Sequence, residues 1–150
     1  MNLSRLHRDL KTDEGVIYDI YLDHLGNKTF GVGHLVTQDD KEWDKPVGFA
    51  VSYERVHKCF EEDVKRAIKN CQVLYGETFN HCPDEVQEVL VNMIFNLGLT
   101  GLSKFKRMNK AIDLGDYKEA AEEGRDSLWY RQVTNRAERL MVRLENVCLS

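Results

Sequence analysis

The pattern of apolar residues changes once, sharply, and that change limits the folds open to this chain. Leu3, Leu6, Arg8 and Leu10 fit one short helix ending near Glu14, with Gly15 as a left-handed stop. From Val16 to His34 the residues are β-formers separated by turn residues. Ile17, Tyr18, Ile20 and Tyr21 come first, then Leu25-Gly26-Asn27, then Thr29, Phe30 and Val32. This reads as a small antiparallel hairpin or sheet. Asp39 to Gly48 is polar, contains Pro46, and reads as a loop.

Everything beyond Ser52 has helical periodicity. Ser52 caps a helix in which Val56, Phe60, Val64 and Ile68 recur every four residues. Pro83 opens another, with Val86, Val89, Leu90, Met93, Ile94 and Leu97 inward and Gly98 as its stop. Shorter helices are predicted over Phe105 to Leu114, Asp116 to Glu123 and Thr134 to Val147, with Asp116-x-x-Glu119 as a capping box. The fold class is therefore α+β, a single domain over residues 1–150. A sheet lobe over about 12–55 is joined by a helix over about 53–72 to an α-helical lobe over 73–150. The N-terminal helix is grouped with that second lobe, and a cleft is expected between the two.

With 42% hydrophobic and 31% charged residues, a chain of 150 residues has enough apolar material for one core. The N-terminal segment carries Arg5, His7, Arg8 and Asp9 rather than an apolar run, and no stretch is long enough to span a bilayer. The chain is expected to stay in the cytoplasm until released, without membrane insertion. A net charge of −4 disfavours nucleic acid as a partner. Cys59, Cys71, Cys82 and Cys148 lack paired spacing and are expected to be buried thiols. His57-x-Cys59 and His81-Cys82 do not match a zinc pattern, so no metal and no cofactor is expected.

The chemistry concentrates at Asp13-Glu14-Gly15, Asp23 and Thr29. Two carboxyl groups in different environments are what glycosidic bond cleavage requires, one protonated to donate and one ionised. Glu14 is the candidate general acid. The last turn of a helix disfavours a second negative charge, and burial in a cleft wall would act in the same direction. Asp23, beside the Leu25-Gly26-Asn27 turn, is the candidate ionised partner, and the Thr29 hydroxyl can hold water against it. Taken singly, each acid has an ordinary alternative. A Glu before Gly can be a solvated helix end, and an Asp near a turn can bond its own backbone. Gly31-Val32-Gly33 is no dinucleotide fingerprint, because a third glycine is missing and no helix follows at once.

Glu14-Gly15, Tyr21-x-Asp23 and Thr29-Phe30-Gly31-Val32-Gly33-His34-Leu35 together resemble the catalytic segment of the phage-type lysozymes, the T-even phage endolysin family. Asn92-Met93-Ile94-Phe95-Asn96-Leu97-Gly98 resembles the central helix of that family's second lobe. Trp129-Tyr130-x-Gln132-x-x-Asn135-Arg136-Ala137 resembles its other signature. The resemblance implies a two-lobed lysozyme-like fold and a muramidase cutting the β-1,4 bond between N-acetylmuramic acid and N-acetylglucosamine, with inversion. It implies Glu14 as general acid, Asp23 and Thr29 as the water-positioning pair, and Leu35 and Phe95 as saccharide contacts. His34 would pair with Asp63 in a stabilising role, Arg136 would reach the catalytic glutamate, and Trp129 and Tyr130 would be core residues. It further implies a monomer acting on peptidoglycan strands, released by a holin if it is a free endolysin, or carried in the virion tail.

The chain departs from well-studied members of that family in a shorter His34 to Asp63 segment and in Met108 and Glu123 at substrate-contact positions. It is also expected to lack their C-terminal extension, and its charge is acidic rather than strongly basic.

Overall fold

The computed structural model describes residues 1–147, so Cys148 lies outside the described residues. In order the elements are α1 (Leu3–Glu14), β1 (Ile17–Leu22), β2 (Lys28–Gly31), β3 (His34–Leu35), α2 (Tyr53–Tyr75), α3 (Glu77–His81), α4 (Asp84–Ser103), α5 (Lys106–Asp113), α6 (Tyr117–Arg125), α7 (Leu128–Gln132) and α8 (Thr134–Glu145). This is a mostly helical α+β chain with one three-stranded antiparallel sheet, in the order β1-β2-β3. It divides into two compact units, Ser4–Lys65 and Met1–Leu3 with Arg66–Ser150. The division falls inside the continuous helix α2, and α1 groups with the sheet.

In the sheet unit, α1 stops where expected. Gly15 has φ 76° and its N–H donates to the Lys11 carbonyl at 2.9 Å, closing the last turn. Leu6 and Leu10 are the fully buried residues of α1. β1 and β2 pair with Tyr21 opposite Thr29 and Leu22 opposite Lys28, so the hairpin turn is Asp23 to Asn27. Ile20, Phe30, Val36, Val51, Val56 and Cys59 form the core of this unit. The 39–48 segment is a run of turns that returns to the sheet through a bridge between Asp19 and Ala50. Ser52 caps α2, its Oγ accepting the Arg55 N–H at 3.1 Å.

The helical unit is built on α4, where Val86, Val89, Leu90, Val91 and Met93 have no exposed surface. Gly98 does interrupt it, at φ 75° and ψ 169°, but the chain re-enters helix and runs to Ser103. Leu97, expected inward, is only half-buried. The Asp116 cap is realised, with its Oδ1 accepting the Glu119 N–H at 3.1 Å. Trp129 is buried, its indole N–H donating to Asn96 Oδ1 at 2.8 Å, while Tyr130 is half-buried with its hydroxyl on Glu138. Cys59, Cys71 and Cys82 are buried free thiols, as expected; burial pushes the Cys59 thiol up to about 11 and raises Cys71 further.

Helix α6 meets α5 and α8 across Gly124. A Cβ there would lie 2.4 Å from Met141 Sδ and 3.3 Å from Met108 Sδ. Both methionines are buried, so neither can swing into solvent. Gly124→Ala should therefore destabilise the protein by about 1–2 kcal/mol, the overpacking cost exceeding alanine's higher helix propensity. Thermal unfolding checks this; a Tm raised by the alanine would show that the helices separate without cost.

Candidate active site

All three candidate catalytic residues lie in the sheet unit. Glu14 is the last residue of α1 and is half-buried. Its carboxyl group rests against the Gly31-Val32-Gly33 turn: a Cβ on Gly33 would lie 2.7 Å from Glu14 Oε1. Gly33 has φ 62°, a conformation that favours glycine, and Gly31 (φ 65°) comes similarly close to Val56. The two glycines thus let the backbone turn tightly between helix α2 and the Glu14 side chain.

Asp23 opens the hairpin turn and does bond its own backbone. Its Oδ1 accepts the N–H groups of Leu25 at 2.9 Å and Asn27 at 2.8 Å. Those bonds, the Asn27 amide first, hold its carboxyl below the usual aspartate range against a smaller opposing effect of desolvation. Asp23 is therefore ionised at neutral pH, with Oδ1 held by the turn. Thr29 is buried, and its hydroxyl donates to the Asn27 carbonyl at 2.9 Å. That carbonyl also accepts the Asp23 main-chain N–H at 2.9 Å, so the turn that holds the Asp23 carboxylate through the Leu25 and Asn27 N–H groups also fixes the Thr29 hydroxyl. With its proton directed at Asn27, the Thr29 oxygen presents lone pairs to a further donor such as water.

Tyr21 links the two acids electrostatically. Burial raises its phenol above the ordinary value, and the charges of Glu14 and then Asp23 raise it further. Both carboxylates therefore lie within electrostatic range of the Tyr21 hydroxyl. In the β1–β2 pairing Tyr21 lies directly across from Thr29.

His34, on β3, has carboxylates on both ring nitrogens. Nδ1 lies 2.6 Å from Asp63 Oδ2 and Nε2 lies 2.9 Å from Asp40 Oδ2. Burial alone would lower the imidazole pKa, but the hydrogen bonds and charge of Asp63, then of Asp40, raise it overall. Asp40 Oδ1 in turn binds Arg55 at 3.1 Å, and Arg55 grips the buried Glu42 through Nε and a terminal nitrogen. Sequence reasoning reached the His34 and Asp63 pair but missed Asp40, Glu42 and Arg55. The only sequence signal was an acidic loop opposite the first turn of α2.

The remaining predicted residues divide between the units. Leu35 is exposed on β3 in the sheet unit; Phe95 is half-buried on α4 and Arg136 on α8 in the helical unit. Arg136 is held there by Asn92, donating through Nε to Oδ1 at 2.9 Å. Met108 is buried, and Glu123 lines a surface depression of about 420 Å³ with Phe105, Arg107 and Asp126.

A family model described as phage lysozyme matches residues 11–144. The chain belongs to the phage lysozyme family. The match takes in parts of both units and every candidate site residue described above. The chain is 34% identical over 149 residues to the pre-baseplate central spike protein Gp5 of Enterobacteria phage T4, a match that takes in 87% of this chain. It spans only 26% of that protein's length. It is also 30% identical to probable T4-type lysozyme 2 of Dictyostelium discoideum, over 93% of this chain and 92% of that protein. Probable T4-type lysozyme 1 of the same organism is 26% identical, over 94% of each chain. Among the described residues of this phage lysozyme family member, no helix is long and apolar enough to cross a membrane.

Gly33→Ala tests the support of Glu14 directly. The substitution strains a left-handed residue and drives a methyl group into the Glu14 carboxyl. Activity on cell wall should fall about tenfold to a hundredfold, the usual consequence of displacing a reacting group by about 1 Å. Clearing rates measured beside thermal unfolding check this; an unchanged rate in a folded variant would show that Glu14 does not depend on the turn.

Proposed function

We propose that this phage lysozyme family member is a single-domain muramidase over residues 1–150. It hydrolyses the β-1,4 bond between N-acetylmuramic acid and N-acetylglucosamine in peptidoglycan, with inversion and without a cofactor. The observation that carries this reading is the presence in one unit of Glu14, backed by the Gly33 turn, with an ionised Asp23 held by its hairpin turn and a Thr29 hydroxyl fixed on the Asn27 carbonyl of that turn. Protonated Glu14 donates to the glycosidic oxygen as its bond to the anomeric carbon breaks. A water positioned by Thr29 and Asp23 attacks that carbon from the opposite face, and Asp23 receives its proton. The cycle closes when Glu14 regains a proton and Asp23 releases one to solvent. Leu35 and Phe95 are the proposed saccharide contacts. Arg136 is a supporting residue of the site, and His34 with Asp63 stabilises the strand behind Glu14. Release of soluble glycan fragments from purified sacculi tests the activity. Binding without release would leave only a peptidoglycan-binding module.

In the cell, the reading is an endolysin that works as a monomer and depends on a holin to pass from the cytoplasm to the periplasm. A second reading, a tail-associated enzyme of cell-wall penetration, is favoured by the similarity to a phage spike protein. Charge supports it as well. The Ser4–Lys65 unit carries thirteen acidic and nine basic side chains, and so the whole net charge of −4. Such a unit gains nothing from long-range attraction to an anionic wall. Lysis rates should accordingly be flat or rise slightly with added salt, which screens repulsion within about 10 Å at 0.1 M. A rate that climbs steeply as salt is removed contradicts this, and detection of the chain in purified virions decides between tail and free enzyme.

A further inference from the structure

We propose that His34, Asp40 and Cys59 form a zinc site in the sheet unit, an inference independent of the muramidase reading. A His34 ring nitrogen, an Asp40 carboxylate oxygen and Cys59 Sγ all lie within 4.8 Å of one another, and Nε2 is the nitrogen that faces Asp40. They come from β3, from the turn segment after it and from α2, so no spacing rule in the sequence brings them together. The expectation of no metal rested on pairs close in sequence and did not reach this cluster.

The donor set selects the ion. One imidazole nitrogen, one carboxylate oxygen and one thiolate suit Zn²⁺, whereas Mg²⁺ and Ca²⁺ take all-oxygen shells. Three protein ligands leave a fourth position for water. Zinc–ligand bonds of about 2.0–2.3 Å imply ligand separations of about 3.3–3.7 Å. The 2.9 Å Nε2 to Oδ2 hydrogen bond then opens slightly as the ion takes the place of its shared proton, and the thiol draws in from the widest separation.

The surroundings are those of a supported metal ligand. A metal-bound histidine characteristically donates its other ring N–H to a carboxylate, and Asp63 already sits 2.6 Å from Nδ1. Asp40 is oriented from behind, through Oδ1 by Arg55 and through Oδ2 by the Thr37 N–H. Charge balances too. Binding releases the Nε2 proton and the thiol proton, and the divalent ion is neutralised by one thiolate and one carboxylate. Side-chain exposures of 12% for His34 and 13% for Asp40 give an ion access from solvent, while the buried Cys59 closes the inner side. The consequence is a clamp that ties β3 and the 36–51 segment to α2.

The test uses the full chain, freed of metal with a chelator and then titrated with Zn²⁺ by calorimetry and with Co²⁺ by absorption. The expected results are one ion per chain, a raised Tm, and a thiolate-to-cobalt charge-transfer band in the near ultraviolet. Asp40→Asn and Cys59→Ala should each weaken binding at least a hundredfold. Asp63→Asn should keep the stoichiometry and weaken binding about tenfold to a hundredfold. Should Cys59→Ala fail to fold, the cobalt band of the wild type and its weakening in Asp40→Asn decide alone. No uptake at about 10-micromolar zinc, far above the dissociation constants that structural zinc sites show, would overturn the proposal. So would a cobalt complex without the thiolate band, or binding unchanged in both variants.

Discussion

Glu14→Gln is expected to lower peptidoglycan hydrolysis by about a hundredfold to ten-thousandfold while leaving folding and glycan binding intact. The amide keeps the shape of the side chain beside Gly33 but cannot give a proton to the leaving oxygen, a contribution of about 10²–10⁴ in rate. Binding depends on other surfaces, so the variant should still sediment with sacculi. Turbidity loss of chloroform-treated Gram-negative cells, read beside co-sedimentation, makes the comparison. Equal clearing by the two proteins removes the enzyme reading. Loss of binding together with clearing would assign Glu14 to substrate contact rather than to proton transfer.

The second large effect concerns stability. Asp63→Asn removes one of the two carboxylates on a His34 that is almost withdrawn from solvent. A fully buried pair broken on one side costs about 3–5 kcal/mol and an exposed pair less than about 1, so about 2–3 kcal/mol is expected here. That corresponds to a Tm loss of roughly 5–10 °C for a chain of this size. The pH dependence carries a definite sign. His34 has a raised folded-state pKa, so its contribution is complete below the unfolded value near 6.5 and is lost as pH rises through the folded one. Asp40 has a lowered folded-state pKa, so its contribution is present above 3.8 and is lost as pH falls through the folded one. In chelator-containing buffer, the gap between wild type and Asp63→Asn should therefore be widest near pH 5–6 and narrow toward alkaline pH. A gap independent of pH would mean that Asp63 acts through packing and not through the imidazolium.

Much of the fold could be read from residues whose local physics admits one answer. Gly15 after a helical run, Ser52 before an apolar period of four, and Asp116 three residues ahead of Glu119 each do what their chemistry dictates. The pairing of His34 with Asp63 was carried by the family resemblance, and the geometry agrees. The helices Glu77–His81 and Leu128–Gln132 were not legible. At five residues each they are too short to show a period, and Ser127, which caps the second, looks like any polar loop residue. The Asp40, Glu42 and Arg55 network was hidden for a different reason. Its members join through the folding of an irregular segment, and no periodicity predicts which loop carboxylate meets which helix side chain. The role of Gly33 was half visible, since the glycine marks a tight turn, but that the turn presses on Glu14 appears only in three dimensions.

The stereochemistry of the first product tests the central claim most directly. Sacculi digested briefly with the wild-type protein should yield new N-acetylmuramic acid reducing ends that appear first as the α anomer, because in the proposed mechanism water held by Asp23 and Thr29 attacks opposite the bond that Glu14 protonates. New reducing ends on N-acetylglucosamine, or an initial β anomer, would contradict the account.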